Sequence, residues 1–373
     1  MTRAARFAVL GLLLGAALGC HANGGSQPNA RGRPEPATGT GAWIARGSRG
    51  IDGQILELAV SGNRFVASGD VSPSSPVVDL TGYYVVPAFI DSHVHLAYYA
   101  VADALPAGGI VGAVDFAAPI GELAKTFPIA VIQSGPMITP LLGYPTQSWG
   151  SGGFGLEVAS PDDAAAAVDR VLDAGAKFVK TPLSGTEGAD DAMLASIVLR
   201  AHARGAKVAV HALGAADAAR AIASEVDIFG HTPTEPLTAE LVDAWGERTV
   251  VSTLAAFGSS EAAIENLRAF SERGALVLYG TDLGNTRFVG IQSSEIDSLV
   301  RAGLTGSDIV RSATANAARY WGMSELGRLD AGARASLLVL DEDPNANPQT
   351  LTTPHAVVFD GRLVAGTLPG AEE

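Results

Sequence analysis

Two histidines one residue apart close a short apolar run, Pro87-Ala-Phe-Ile-Asp91-Ser92-His93-Val94-His95. Side chains at i and i+2 of a strand share a face, so His93 and His95 point the same way. Neutral imidazoles so placed bind a divalent ion. An isolated pair is equally well explained by two histidines satisfied inside a core. Here the arrangement recurs. Lys180 ends the apolar segment Ala176–Lys180, His211 ends Lys207–His211, His231 follows Val226–Gly230, and Asp282 follows Leu276–Thr281. At roughly 20–35 residues per βα unit, the gaps between them read as three units, one, one and two. These polar residues then fall at the C-terminal ends of strands 1, 4, 5, 6 and 8, the face on which barrel active sites lie.

The elements that must hold these residues follow from the pattern around them. Candidate strands are 84–90, 110–116, 128–133, 176–181, 207–212, 226–230, 249–253 and 275–280, and helical segments separate most of them. Ser160, Pro161 and Asp162-Asp163 give a capped start to a helix over 161–174, stopped by Gly175. A second helix spans 261–273, and Thr305-Gly-Ser-Asp308 has capping-box spacing before a helix running through Tyr320. Alternation of this kind favours a parallel (β/α)8 TIM-type barrel over residues 83–325, with an open doubly wound sheet as the structural rival. Residues 42–82 show short alternating segments, such as Gln54–Val60, that predict a small antiparallel sheet. Short strands return over 326–368 and would complete that sheet as a small β-sandwich domain.

The constellation resembles the amidohydrolase superfamily over about residues 45–365, and within it the imidazolonepropionase-like and Xaa-Pro dipeptidase (prolidase) branch. Gly280-Thr-Asp282 is similar to that family's last-strand motif. Ala313–Ala318 resembles its following helix, and Gly327–Leu340 its return into the small β domain, with Ser336 standing where the family has aspartate. The resemblance implies two divalent ions, zinc being the expected metal. His93, His95 and Asp282 would bind the more buried ion, His211 and His231 the more exposed one, and a carboxylated Lys180 would bridge them. A plain lysine paired with Asp282 beside one metal is the alternative. It also implies attack of a metal-bridging hydroxide on a C–N bond in an amide, cyclic amide or dipeptide-like compound, with Asp282 as catalytic proton shuttle. Two rivals remain: a lactone or ester hydrolase using the same site, and a non-catalytic solute-binding lipoprotein.

Substrate contacts are less legible. Tyr144 stands where a family loop often carries histidine and either donates to the substrate or packs over the barrel mouth. Arg287, past Asp282, either pairs with a substrate carboxylate or is solvated. Trp149 and Tyr279 read as packing residues, and His202 and His355 as structural.

The start of the chain carries a different signal. Arg3 and Arg6 precede the apolar run Phe7–Leu18, too short to span a bilayer permanently. It ends at Ala17-Leu18-Gly19-Cys20 and resembles a bacterial lipoprotein signal (residues 1–19) with Cys20 as the lipidated residue; the alternative is an ordinary cleaved signal. Residues 20–41, rich in Gly and Pro, read as a tether. The expectation is an exported protein, lipid-anchored to the bacterial envelope, at the outer membrane if the host has one. Cys20 is the only cysteine, so no disulfide forms within the chain. A net charge of −14 argues against nucleic acid. The expected partners are a small-molecule substrate and, through the lipid alone, a membrane; self-association is left open. In 373 residues, 47% hydrophobic content against 17% charged supplies a sizeable core.

Overall fold

The computed structural model describes residues 41–184 and 187–369. The signal at 1–19, Cys20 and, apart from Gly41, the tether lie outside the described residues. Among the described residues no helix is long and apolar enough to cross a membrane.

Both ends of the described chain meet in one eight-stranded sheet. Its order is Arg362–Gly366, Ala356–Phe359, Leu337–Leu340, Tyr84–Pro87, Ala42–Arg49, Ile55–Ser61 and Arg64–Val66, with Val77–Asp79 also paired to Ala42–Arg49. The sheet is mixed rather than purely antiparallel, because Ala42–Arg49 runs parallel to both Val77–Asp79 and Tyr84. The run Leu337–Leu340 is apolar at every position because each face is covered. Leu337 and Val339 join a core with Trp43, Phe65 and Val85, while Leu338 and Leu340 join the barrel core with Val86 and Phe89. A strand buried on both sides loses the polar alternation of a half-exposed one.

The barrel consists of eight parallel strands: Phe89–Val94, Ile110–Asp115, Ala130–Gln133, Val179–Pro182, Val208–His211, Ile228–Phe229, Thr249–Val251 and Leu276–Leu278. The first three form one ladder and the last five another. Hydrogen bonds join the two ladders at both seams: Lys177 N–H to Gln133 O at 3.0 Å, and Ser92 N–H to Tyr279 O at 2.8 Å. The sequence predicts a single strand over 84–90, whereas the chain changes partner there. Ala88 N–H bonds to Ser336 O in the small sheet, and Phe89 N–H to Gly109 O in the barrel. Pro87, which has no N–H to offer, ends the sheet strand.

Helices Pro161–Asp173, Asp191–Ala203, Ala215–Ala223, Ala239–Trp245 and Glu261–Glu272 precede or link the last five strands. Ser160 accepts the expected capping bond from Asp163 N–H, and Asp190, Thr238 and Ser260 cap three further helices in the same way. Connections between the first three strands contain only short 3-10 turns, Pro106–Gly108 and Ile120–Glu122. The helix expected from Thr305 through Tyr320 is two, Gly306–Ala313 and Ala315–Trp321, broken at Thr314 (φ −129°, ψ −98°). The capping box at Thr305 and Asp308 is present. The break brings the Thr314 backbone so close to Gly327 that a Cβ at 327 would lie 2.6 Å from it.

Candidate metal centre

His93 is fully buried on the first barrel strand, and its Nδ1 lies 2.6 Å from the carbonyl oxygen of Gly230. A carbonyl only accepts, so Nδ1 carries the hydrogen and Nε2 keeps its lone pair. That lone pair has no hydrogen-bond partner and faces Asp282 Oδ1 at 3.6 Å. Asp282 Oδ1 also lies 3.0 Å from His95 Nε2. Two acceptors facing each other in a buried site repel unless a cation lies between them. The ligand atoms of His93, His95 and Asp282 all fall within 4.8 Å of one another, and all three residues are buried.

The backbone holds this triad with some strain. Asp282 has φ +55°, a left-handed conformation that aspartate tolerates better than most residues. It follows the eighth strand, and its N–H donates to His93 O at 2.9 Å while His95 N–H donates to Leu283 O at 2.6 Å. Asp91 fastens the same seam from beneath. Its carboxylate accepts from the N–H of His93 and Thr281 and from the Thr281 hydroxyl. Burial pushes Asp91 up to about 7, opposed by the Thr281 hydroxyl. Asp115 accepts from Ala97 and Ala117 N–H on either side of the second strand's end, and burial pushes it up to about 6. Asn285 Nδ2 reaches both Asp282 oxygens, at 3.1 and 3.3 Å.

The remaining candidates stand beside this triad. His231 stacks on His93 with ring centroids 4.3 Å apart, and His211 meets His231 edge-on at 4.8 Å. Thr253 Oγ1 lies 3.0 Å from His231 Nδ1, which leaves Nε2 free in the tautomer with Nδ1–H donating. Burial holds His93 and His231 well below the ordinary histidine range, and burial plus the Lys180 charge brings His211 to about 3. All three imidazoles are therefore neutral, the form that ligates. Lys180 is fully buried on the fourth strand, its Nζ has no hydrogen-bond partner, and it lies 4.7 Å from the centroid of the Phe116 ring. Burial lowers it to about 7, opposed by Asp282. A Cβ on Gly230 would sit 2.4 Å from that Nζ and 2.9 Å from the Val210 carbonyl oxygen, and the backbone contact is the one that requires glycine there.

Tyr144 packs against His211, ring centroids 5.1 Å apart, and its hydroxyl accepts from Trp149 Nε1–H at 2.9 Å. Trp149, expected only to pack, spends its N–H on this bond and lies edge-on to His95 at 5.0 Å. Arg287 is exposed, and its guanidinium covers the Tyr99 ring at 4.5 Å and Tyr98 at 5.4 Å. No carboxylate pairs with it among the described residues, and it stands outside the imidazole cluster. Tyr279 packs on Phe89 as expected, and its hydroxyl also accepts from Gln292 N–H. His202 and His355 lie elsewhere, paired with Asp227 and Asp341. Sequence reasoning missed Asp91, Thr281, Thr253 and Trp149 as supports. Asp91 and Thr281 lie inside the two quoted motifs, which was the available signal.

A family model described as "Amidohydrolase family" matches residues 84–364. An uncharacterised protein of Mycobacterium tuberculosis is 36% identical over 96 residues, 25% of this chain and 25% of that protein, so the match spans only a quarter of the curated relative. Among solved structures, a Xaa-Pro dipeptidase with methionine bound in its active site superposes with a TM-score of 0.72 at 20% identity, over 87% of this chain and 100% of that one. A prolidase described as putative from Bifidobacterium longum gives 0.70 at 20%, covering 89% and 97%. The A. niger ochratoxinase gives 0.66 at 19%, covering 87% and 96%. At such identities these structures speak to the fold.

Proposed function

The chain belongs to the amidohydrolase family, and from that premise we propose that it is a metal-dependent hydrolase cleaving a C–N bond in a small amide or dipeptide-like compound. The observation that carries the proposal is the His93 Nε2 lone pair facing Asp282 Oδ1 at 3.6 Å without a hydrogen between them. His93, His95 and Asp282 would hold one divalent ion, and His211 and His231 a second. Their imidazole and carboxylate donors suit zinc. When bound, the ions would acidify a water and polarise the scissile carbonyl.

The chain's own residues supply the rest. Lys180, lowered to about 7, exists partly as free amine near neutral pH. Only that form has a lone pair to add CO2, forming an Nζ–C bond and releasing one proton. The resulting carbamate would present two oxygens between the imidazole pairs. Asp282, steadied by Asn285, accepts the proton of the attacking water at a carboxylate oxygen and passes it to the leaving nitrogen. Tyr144, packed against His211, would meet the substrate.

The test combines metal analysis with turnover on Xaa-Pro dipeptides, N-acyl amino acids, cyclic amides and lactones. The proposal expects close to two metals per chain and hydrolysis of an amide that a chelator abolishes and zinc restores. Turnover of lactones alone would replace it with an esterase. Metal-free protein without turnover on any of the four classes, even after zinc loading, would overturn it.

A further inference from the structure

We propose that Trp149 is a positioning residue that turns the Tyr144 hydroxyl into a one-way donor toward the substrate's carbonyl oxygen. The inference rests on the hydrolase proposal and adds a specific part to it. A tyrosine hydroxyl both donates and accepts, whereas an indole N–H only donates. Trp149 Nε1–H fills an acceptor position of the Tyr144 oxygen at 2.9 Å. Among the described residues this is the sole hydrogen bond to that hydroxyl, so its O–H remains for a ligand.

The pair is built rigidly and sits across the metal centre. Tyr144 N–H donates to Glu187 O at 3.0 Å, and Thr139 Oγ1 donates to Tyr144 O at 2.7 Å, fixing the backbone on both sides. Gly143 leaves no slack before it, since a Cβ there would lie 2.4 Å from Thr139 Oγ1. Trp149 is held by Tyr98 at 5.2 Å and Phe154 at 5.6 Å. Through its contacts with His95 on one side and, via Tyr144, His211 on the other, the dyad spans the cluster from the first strand to the fifth. A donor preset near the carbonyl stabilises charge that develops on oxygen in the transition state and adds little to ground-state binding. Trp149 therefore acts on kcat through Tyr144, without itself touching the reacting atoms.

The experiment uses the full zinc-loaded chain and the amide it hydrolyses fastest. Tyr144→Phe should lower kcat by about 10²-fold, within the range for loss of one such donor. Trp149→Phe should lower it about tenfold with KM and metal content within twofold of wild type. The double variant Tyr144→Phe/Trp149→Phe should be no slower than Tyr144→Phe, because the indole acts only through the hydroxyl. Should Trp149→Phe fold poorly, benzothienylalanine at 149 keeps the ring's shape and replaces N–H by sulfur; the same tenfold loss is expected. Wild-type kcat in the benzothienyl protein, or losses that multiply in the double variant, would overturn the inference while leaving the hydrolase proposal standing. A wild-type chain that hydrolyses no amide would overturn both.

Discussion

The two halves of the candidate centre are held differently. His93, His95 and Asp282 share a seam fastened by backbone hydrogen bonds in both directions and by the buried Asp91–Thr281 network. His211 and His231 come from separate strands and rely on ring contacts, one bond to Thr253, and the Phe257 ring, 4.9 Å from His231 and 6.2 Å from His211. One half is a preformed candidate for a chelate. The other is a pair of imidazoles set edge to face that lacks an anion, and Lys180 is the residue beside it that would supply one. A centre built this way should fill stepwise, the seam first.

The largest break comes from Asp282, which belongs to the seam and is proposed as proton carrier. Asp282→Asn keeps size and one oxygen but removes the base, so kcat should fall about 10²–10⁴-fold. Melting of the metal-free protein should change little, because asparagine keeps the buried side chain's size and, like aspartate, tolerates the left-handed backbone at 282. Near-wild-type turnover with a large fall in Tm would reverse the assignment. Lys180→Ala should take the metal content from near two per chain to about one, read by elemental analysis, with the seam ion surviving. Full activity with one tightly bound ion in wild type would sink the bridge.

A smaller effect tests the looser half directly. Thr253→Val is nearly isosteric and removes the oxygen at His231 Nδ1. Affinity for the second ion should fall about tenfold by chelator competition, as for lost partners of ligating histidines, while the first ion is retained. Equal weakening of both ions would erase the distinction between the halves.

The smallest effect concerns Glu295, whose carboxylate accepts from Leu254 and Ala255 N–H and so fixes the turn that carries Phe257. Burial raises it from 4.5 to about 7. The folded state then binds the proton more tightly than the unfolded state, so stability falls as pH rises from about 4.5 through 7. Glu295→Gln should flatten the Tm–pH slope over that window in chelator-treated protein and leave turnover within twofold. Asp91 and Asp115 shift in the same direction, so part of the slope stays. An unchanged slope would show that Glu295 does not titrate there.

What the sequence made legible was whatever repeats along the chain. Lys180, His211 and His231 stand out because each is a polar residue after a short apolar run, although Lys180 lies inside the strand Val179–Pro182 rather than at its end and His231 lies just beyond Ile228–Phe229. Partner exchange at Ala88 was hidden, since a strand continuing into another strand leaves no change in period. The break at Thr314 was hidden because it answers to Gly327 across space. Trp149 was hidden for a similar reason: in a glycine-rich loop, nothing local shows that an indole N–H will meet a phenol oxygen.

The mixed sheet has a consequence for the order in which the molecule can be assembled. Strand Tyr84–Pro87 leads within two residues into the strand bearing His93, yet its partner Leu337–Leu340 leaves the ribosome only after the whole barrel. Asp282 also arrives long after the two histidines it joins. During synthesis the first strand therefore waits with one flank unpaired, and pairings this distant in sequence form slowly. The candidate metal site is therefore incomplete until Asp282 has been made and the eighth strand has closed on the first. A chain cut before Leu337 should bind less metal by elemental analysis even though it keeps every candidate ligand.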